Sequence, residues 1–221
     1  MYRLSNFSKD FKVLGVTPEN VGKLAIKRGI PWNELYEKVC KFSNSLKRLG
    51  VKKGDRVTIY LPMIPEAAIA MLACSRIGAI HSVVFGGFSP ESLKNRIIDC
   101  KSSTIITANE GLRGNRKIPL LKNVKESLQG LNFVENVIVV KRTGSTDFFE
   151  EDNDLWYHEM IRNEATECEI SVQNSEDPLF ILYTSGSTGT PKGVLHTTAG
   201  YLLHASLSHK LIFDIKENDI Y

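Results

Sequence analysis

Apolar residues recur at helical spacing in residues 33–49. The positions that share one face of this segment are Leu35, Val39, Phe42, Leu46 and Leu49. Lysines and glutamates occupy the opposite face, and Gly50 follows where a left-handed glycine commonly ends a helix. The segment therefore predicts an amphipathic helix whose apolar face packs on a core.

Short apolar runs alternate with helical segments along the rest of the chain. Strands are predicted over residues 56–61, 79–85, 103–108, 136–141 and 178–184. Helices are predicted over residues 65–78, 89–100 and 118–130, with Pro65 in a first turn, Ser89 as an N-cap, and Gly78 and Gly130 at ends. The strands are mostly uniformly apolar, as in a sheet covered on both faces. This order predicts an α/β fold with a partly parallel, doubly wound sheet and helices on both faces.

The pattern is interrupted over residues 142–156, which are polar and acidic. We predict a surface loop here, leading into a short helix near residues 158–162. The acidic run "DFFEED" is interpreted as a solvated face rather than a magnesium site. At the end of the sequence "KEND" indicates a turn, and Ile220 and Tyr221 the start of another strand.

Composition narrows the class of protein. The chain has 221 residues, 42% hydrophobic and 24% charged, with a formal net charge of +3. These values are ordinary for a soluble protein and do not favour nucleic acid or an anionic membrane as a partner. No apolar run is long enough to span a membrane, and no signal-peptide core is present. The four cysteines form no CxxC pair, which favours a cytoplasmic chain with reduced thiols and no zinc site.

One loop carries a specific chemical signal. The string "YTSGSTGTPKGV", residues 183–194, follows a predicted buried strand and is rich in glycine and hydroxyl residues. A glycine-rich turn after a strand presents successive backbone N–H groups that bind phosphate oxygens, and a lysine adds a mobile positive charge. The loop predicts a cradle for a nucleoside triphosphate. The proposed contacts are Thr184, Ser185, Gly186, Ser187, Thr188, Gly189 and Lys192.

The loop and the histidines also have interpretations that involve no ligand. The loop lacks the Walker pattern, because Gly193 follows Lys192, and it could be a plain connection between two elements. His196 is interpreted as structural, since no catalytic partner is visible. His204 and His209 lie on a predicted helix without a third ligand, so no metal site is predicted.

The loop resembles the phosphate-loop signature of the adenylate-forming superfamily, which includes acyl-CoA synthetases, luciferases and peptide-synthetase adenylation domains. Residues 54–111 and the stretches "LRGNRKIPLLKNV" and "EDPLFILYTSGSTGTPKGVLHTTAGYL" are similar to acetyl-CoA synthetases and their short-chain relatives. The resemblance runs from about Trp32 to Tyr221. It implies an AMP-forming acid–thiol ligase that uses ATP with Mg²⁺, coenzyme A and a short-chain carboxylate, and that forms acyl-adenylate and then the thioester.

The resemblance also assigns a coenzyme A site. It places the 3′-phosphate against two arginines and the adenine against apolar and backbone groups. The implied residues are Phe85, Gly86, Gly87, Arg113, Gly114, Asn115, Arg116, Ile118 and Pro119. Taken alone, an R-x-x-R stretch in a polar loop is more often a solvated patch, so this assignment depends on the resemblance.

The sequence departs from the family pattern at both ends. Residues 1–31 form a shortened lead-in, and residues 32–221 are expected to be the amino-terminal part of the large adenylate-forming domain. No residue of this chain can be matched to three parts of the family pattern, which are the acyl pocket, the Mg²⁺ ligand and the small mobile domain with the catalytic lysine. We therefore expect no catalytic residue in this chain, no activity when it is isolated, and a separately encoded carboxyl-terminal part as one source of the rest. The alternatives are a non-catalytic nucleotide- or coenzyme A-binding module and an inactive split-gene fragment. Acetate and propionate are not distinguished.

Overall fold

A computed structural model describes residues 31–113, 116–150, 153–184 and 191–216. Its centre is a seven-stranded sheet in the order β7-β6-β3-β1-β2-β8-β9. The strands are β1 Arg56–Tyr60, β2 Ile80–Val83, β3 Thr104–Ala108, β6 Asn136–Val140, β7 Asp154–Trp156, β8 Pro178–Thr184 and β9 Lys192–Thr197. β4 Gly111–Arg113 and β5 Arg116–Ile118 form a separate antiparallel pair. In the large sheet the β8–β9 pair is antiparallel and the other pairs are parallel.

Helices cover both faces of this sheet, which confirms the predicted fold class. They are α1 Trp32–Arg48, α2 Pro65–Ile77, α3 Pro90–Cys100, α4 Leu120–Leu128, α5 Tyr157–Met160 and α6 Thr198–Leu211. α1 packs on α2, and the ring of Phe42 in α1 meets Tyr157 of α5 edge-on at 4.9 Å. α3 packs on α4. The chain passes from β1 through α2 to β2 on one side, and then through α3 to β3 on the other side of β1. Because parallel crossovers are right-handed, this reversal puts α2 and α3 on opposite faces.

Local capping explains where several helices begin and end. Ser89 precedes α3, and its hydroxyl accepts a hydrogen bond from the backbone N–H of Ser92 at 3.3 Å. Pro65 occupies the first turn of α2, and Gly78 ends that helix in the left-handed region at φ 75°. Gly50 follows α1 at φ 88°. These positions agree with the sequence predictions, because each depends on a residue's own conformational preference.

Four strands lie where the sequence analysis predicted none. The stretch around Arg113 and Arg116 forms the β4–β5 pair instead of a polar loop, so α4 begins at Leu120 and not at residue 118. β7 lies inside the predicted surface loop of residues 142–156, and it pairs with β6. The side chain of Asp154 in β7 is fully buried and bound by Lys125 of α4 at 2.7 Å. β9 continues directly from the phosphate-loop signature.

Apolar surface is left uncovered at the β9 end of the sheet, on both sides of β9. No residue of α6 is buried, although the helix packs on β9. Large apolar side chains remain exposed on β8, β9, α6 and the residues after it, and they are Leu182, Val194, Leu195, Tyr201, Leu203, Leu207, Leu211, Ile212 and Phe213. We call this set the β8–β9–α6 face. An exposed apolar surface of this extent is typical of an interface rather than of a free surface.

Candidate functional site

The predicted site residues lie along one edge of the sheet. Residues 85–88 follow β2, residues 109–113 follow β3, and the candidate phosphate loop follows β8, while the residues around position 62, which the sequence did not indicate as a site, follow β1. All four strands are parallel neighbours or next neighbours, so their carboxyl ends meet at the same edge. In open α/β sheets ligands bind at this edge, next to the point where the strand order reverses. Here that point is β1, with β2 on one side of it and β3 on the other.

The candidate phosphate loop is the connection between β8 and β9. Thr184 and Lys192 stand opposite each other in antiparallel register at the two ends of this connection, and both side chains are exposed. The strand pairing therefore holds the two ends of the loop together. The remaining predicted phosphate contacts, Ser185, Gly186, Ser187, Thr188 and Gly189, lie outside the described residues.

Tyr183 anchors the strand that leads into this loop. Its hydroxyl donates to Asp99 Oδ2 of α3 at 2.6 Å. Burial and the Asp99 carboxylate raise the pKa of Tyr183 well above its ordinary value, so the hydroxyl keeps its proton and donates. A Cβ on Gly193 would lie 3.0 Å from Ile181 and 3.2 Å from the Tyr183 ring. Gly193 therefore makes room for Tyr183, a reason that the loop motif alone did not indicate.

A cavity of about 270 Å³ brings together most of the residues assigned to coenzyme A. Its walls come from the ends of β1, β2 and β3, from β4 and β5, from the start of α4 and from the turn after β6. The lining residues are Leu61, Pro62, Met63, Phe85, Gly86, Gly87, Gly111, Leu112, Arg113, Ile118, Leu120 and Arg142. Pro119 precedes α4 and Arg116 begins β5, but neither lines the cavity. Gly114 and Asn115 lie outside the described residues.

The turn after β2 is shaped by the two glycines. A Cβ on Gly87 would lie 2.5 Å from the Phe85 ring, and a Cβ on Gly86 would lie 3.3 Å from the carbonyl oxygen of Leu61. The turn is fixed at its far end, where the hydroxyl of Tyr60 donates to the carbonyl of Phe88 at 2.7 Å. The Phe85 ring can therefore fold over the glycines as an exposed apolar wall of the cavity.

The two predicted arginines oppose each other across the β4–β5 pair. Arg113 and Arg116 are direct partners in antiparallel register, so their side chains leave the same face of the pair. Like charges at such positions destabilise a sheet. Among the described residues no carboxylate is paired with either guanidinium. The nearby carboxylate of Glu110 pairs with Lys117 instead, at 3.3 Å from its Nζ. The arrangement would be relieved by a bound anion.

Arg96 connects the turn after β2 with β8, the strand that leads into the candidate phosphate loop. Its guanidinium carbon lies 4.6 Å from the centre of the Phe88 ring and 5.4 Å from the centre of the Tyr183 ring. Its Nη1 also donates to the carbonyl oxygen of Ser92 at 2.6 Å. The sequence analysis did not single out this residue, since Tyr183 is distant from it in the chain.

A larger open groove of about 670 Å³ lies elsewhere on the protein. Its walls include Leu49, Leu128, Val134 and Val137, at the amino-terminal edge of the strands. None of the predicted site residues lines it. The groove is therefore separate from the edge at which the candidate residues gather.

The histidines and cysteines supply no metal site in the described part of the chain. No group of three or more His, Cys, Asp or Glu residues is placed to hold a metal ion there. His204 and His209 lie on α6, and the ring of His196 stacks on Phe180 at 4.5 Å. All four cysteines are buried free thiols. Within the same ranges, no helix has both the length and the apolar character needed to cross a bilayer.

The chain belongs to the AMP-binding enzyme family. The sequence pattern of that family matches residues 19–221, which include every element described above. A nucleotide-binding family agrees with the position of the candidate residues at the carboxyl edge of a doubly wound sheet.

Within this family, the chain is similar to acetyl-coenzyme A synthetases and to an acetoacetyl-CoA synthetase. The acetyl-coenzyme A synthetase of Xanthomonas campestris pv. campestris (strain 8004) is 61% identical over 194 residues, and that of Parvibaculum lavamentivorans is 60% identical over 197 residues. These matches cover 87% and 89% of this chain but 30% of each relative. The structure of acetoacetyl-CoA synthetase from Streptomyces lividans superposes with a TM-score of 0.77 at 27% identity, covering 84% of this chain and 28% of that one. The chain thus spans about 30% of the length of the curated relatives that it matches.

Proposed function

We propose that the chain is part of an ATP-dependent acetate–CoA ligase, which converts acetate, ATP and coenzyme A into acetyl-CoA, AMP and diphosphate through acetyl-adenylate. Its share of the site is the loop between β8 and β9, for the β- and γ-phosphates of ATP, and the cavity beside β4 and β5, for coenzyme A. The observation that carries the proposal is this cavity, in which Phe85, Gly86, Gly87, Arg113 and Ile118 meet. Alternatively, the same surfaces belong to a module that binds without catalysis.

The cavity has the two kinds of surface that coenzyme A requires. Its apolar wall, with the exposed ring of Phe85, suits the flat adenine ring. Arg113, which lines the cavity, and its strand partner Arg116, which does not, suit a phosphate dianion at the rim, because both guanidiniums can donate paired N–H groups to it. The volume is smaller than the roughly 300–1,000 Å³ of pockets that enclose a whole drug-sized ligand. It therefore fits one ring system, with the rest of coenzyme A outside it.

The β8–β9 connection supports the ATP part of the proposal. The pairing of Thr184 with Lys192 holds both ends of the connection together, and the glycine-rich sequence between them is of the kind that binds phosphate through backbone N–H groups. In adenylation the negative charge on the departing diphosphate grows. Lys192 is exposed at one end of this connection, and its charge would stabilise the departing diphosphate.

Other parts of the ligase would come from sequence that this chain does not span. As the family resemblance implies, these parts include the acyl pocket, the Mg²⁺ ligand and the catalytic lysine. They would also cover the β8–β9–α6 face, whose apolar residues include Leu203, 62% exposed, and Ile212, 75% exposed. The isolated chain is therefore expected to show no acetate-dependent exchange of labelled diphosphate into ATP. A cytoplasmic location, where ATP and coenzyme A are available, belongs to the same proposal.

Equilibrium binding of coenzyme A to the 221-residue chain tests the proposal. Calorimetric titrations would compare the unchanged chain with Arg113→Gln and Arg116→Gln, and with Arg162→Gln, an exposed arginine remote from the cavity, as the matched control. We expect the first two substitutions to raise Kd by about ten- to a hundredfold, the effect of losing a hydrogen bond to a charged group. The loss should be smaller for 3′-dephospho-coenzyme A. Equal binding by all variants would refute the assignment of the cavity.

A further inference from the structure

The turn after β6 brings another arginine to the cavity. Arg142 lies two residues beyond the end of β6, and it lines the cavity together with Arg113. β6 pairs with β3 in parallel register, with Ala108 opposite Val140. The residues that follow these two strands are therefore neighbours in space. The position of Arg142 at the cavity results from this strand pairing.

Asn109 orders the turn that carries Arg142. This side chain is only 3% exposed, and it directly follows β3. Its Oδ1 accepts hydrogen bonds from the backbone N–H groups of Arg142 at 2.9 Å and Thr143 at 3.3 Å. Its Nδ2 donates to the carbonyl oxygens of Thr143 at 3.2 Å and Ser145 at 2.6 Å. A buried amide satisfied by the backbone at these points holds the turn in one conformation.

The guanidinium of Arg142 is not neutralised by the acid beside it. Glu110 accepts a hydrogen bond from the hydroxyl of Thr143 at 2.6 Å and forms the ion pair with Lys117. The Thr143 hydroxyl and, to a smaller extent, Lys117 hold the pKa of Glu110 below its usual value, so this carboxylate stays ionised with those partners. Within the described ranges no side-chain hydrogen bond or ion pair occupies the Arg142 guanidinium. Arg142 is an exposed residue that lines the cavity.

We propose that Arg142 binds a phosphate group of coenzyme A, as a further guanidinium beside Arg113, and that Asn109 is its positioning residue. The inference rests on the proposed function, because it concerns the same cavity. Coenzyme A offers a 3′-phosphate and a 5′-diphosphate, and a guanidinium recognises both through paired N–H donors. The shared chemistry is therefore a phosphate group next to an adenine.

The test uses calorimetric titration of the 221-residue chain with coenzyme A and with 3′-dephospho-coenzyme A. Arg142→Gln removes the charge, and Arg142→Lys keeps the charge without the planar donors. The matched control is Lys141→Gln, since Lys141 Nζ lies 5.5 Å from the centre of the Trp156 ring and does not line the cavity. We expect Arg142→Gln to raise Kd for coenzyme A by about ten- to a hundredfold, Arg142→Lys by less, and Lys141→Gln by less than about threefold.

The two ligands identify the phosphate group involved. A loss seen with coenzyme A but not with 3′-dephospho-coenzyme A assigns Arg142 to the 3′-phosphate. An equal loss with both ligands assigns it to the 5′-diphosphate. Either result supports the proposal, and neither is expected if Arg142 serves only to stabilise the fold, which circular dichroism melting of each variant would reveal.

Other outcomes separate this inference from the proposed function. If Arg113→Gln weakens binding and Arg142→Gln does not, the inference is wrong and the coenzyme A site stands. If the folded, unchanged chain does not bind coenzyme A at millimolar concentration, both the proposed coenzyme A site and the role of Arg142 are refuted.

Discussion

Protonation of one buried histidine should destabilise the fold in mild acid. His81 lies in β2 with 7% of its surface exposed, and its ring centre lies 5.5 Å from that of Phe180 on β8. Its Nδ1 is buried without a hydrogen-bond partner in the described part of the chain. Burial lowers the pKa of His81 from 6.5 to about 4, because the imidazolium form would lose its hydration.

The sign and size of the effect follow from this pKa. Between pH 6.5 and pH 4 the unfolded chain binds a proton at this position that the folded chain does not bind, so the free energy of unfolding falls as the pH falls. The stabilisation is fully present above about pH 6.5 and is lost progressively towards pH 4. Between pH 7 and pH 5 this single group should cost about 2 kcal/mol.

Urea unfolding at pH 7, 6 and 5 would measure this loss in the unchanged chain and in His81→Leu. The substitution removes the titrating group, so its free energy of unfolding should depend less on pH, by about 2 kcal/mol over this interval. His158→Gln is the matched control, because His158 has an exposed side chain. If His81→Leu and the unchanged chain have the same pH dependence, His81 is not held neutral by burial and the reasoning is refuted.

Two further predictions concern the strand before the loop and the uncovered apolar face. Tyr183→Phe removes the hydroxyl that donates to Asp99 and should lower the free energy of unfolding by about 1 kcal/mol, measured by urea titration; an unchanged value would show that this hydrogen bond contributes nothing. Replacing Leu203 and Leu207 with lysine should raise the concentration at which the isolated chain self-associates, measured by sedimentation velocity. The equally exposed Val172→Lys, outside the β8–β9–α6 face, should have little effect, and an equal effect of both changes would contradict an interface at this face.

Elements with local signals could be predicted from the sequence. α2 and α3 begin and end at Pro65, Gly78 and Ser89, whose preferences act without help from distant residues. β1, β3 and β6 are mostly apolar and β-branched, and nearly all of their residues are buried, as expected of strands covered on both faces. The doubly wound sheet follows from these elements, because parallel strands joined by helices admit few topologies.

Features that depend on distant partners could not be predicted in this way. Asp154 occurs in an acidic stretch, which indicates a loop until Lys125 of another helix neutralises it and allows β7 to join the sheet. The sequence around Arg113 predicts a polar loop, since three-residue strands with charged residues show almost no alternation of apolar and polar positions. Arg142 lines the cavity because β6 pairs with β3 and because the buried amide of Asn109 orders the turn after β6. The predicted phosphate contacts came from the loop motif and the coenzyme A contacts from the family resemblance, and both ligand assignments are predictions.

Acetate-dependent exchange of labelled diphosphate into ATP tests the central claim most directly. The protein to assay is a chimaera in which this chain replaces the matching 194 residues of the Xanthomonas campestris synthetase, which supplies the parts that the chain lacks. The account predicts exchange by the chimaera, no exchange by the isolated chain, and a loss of about ten- to a thousandfold for Lys192→Ala in the chimaera. A folded chimaera without exchange, or a Lys192→Ala variant that exchanges at the unchanged rate, would contradict the claim that the β8–β9 loop holds the phosphates of ATP.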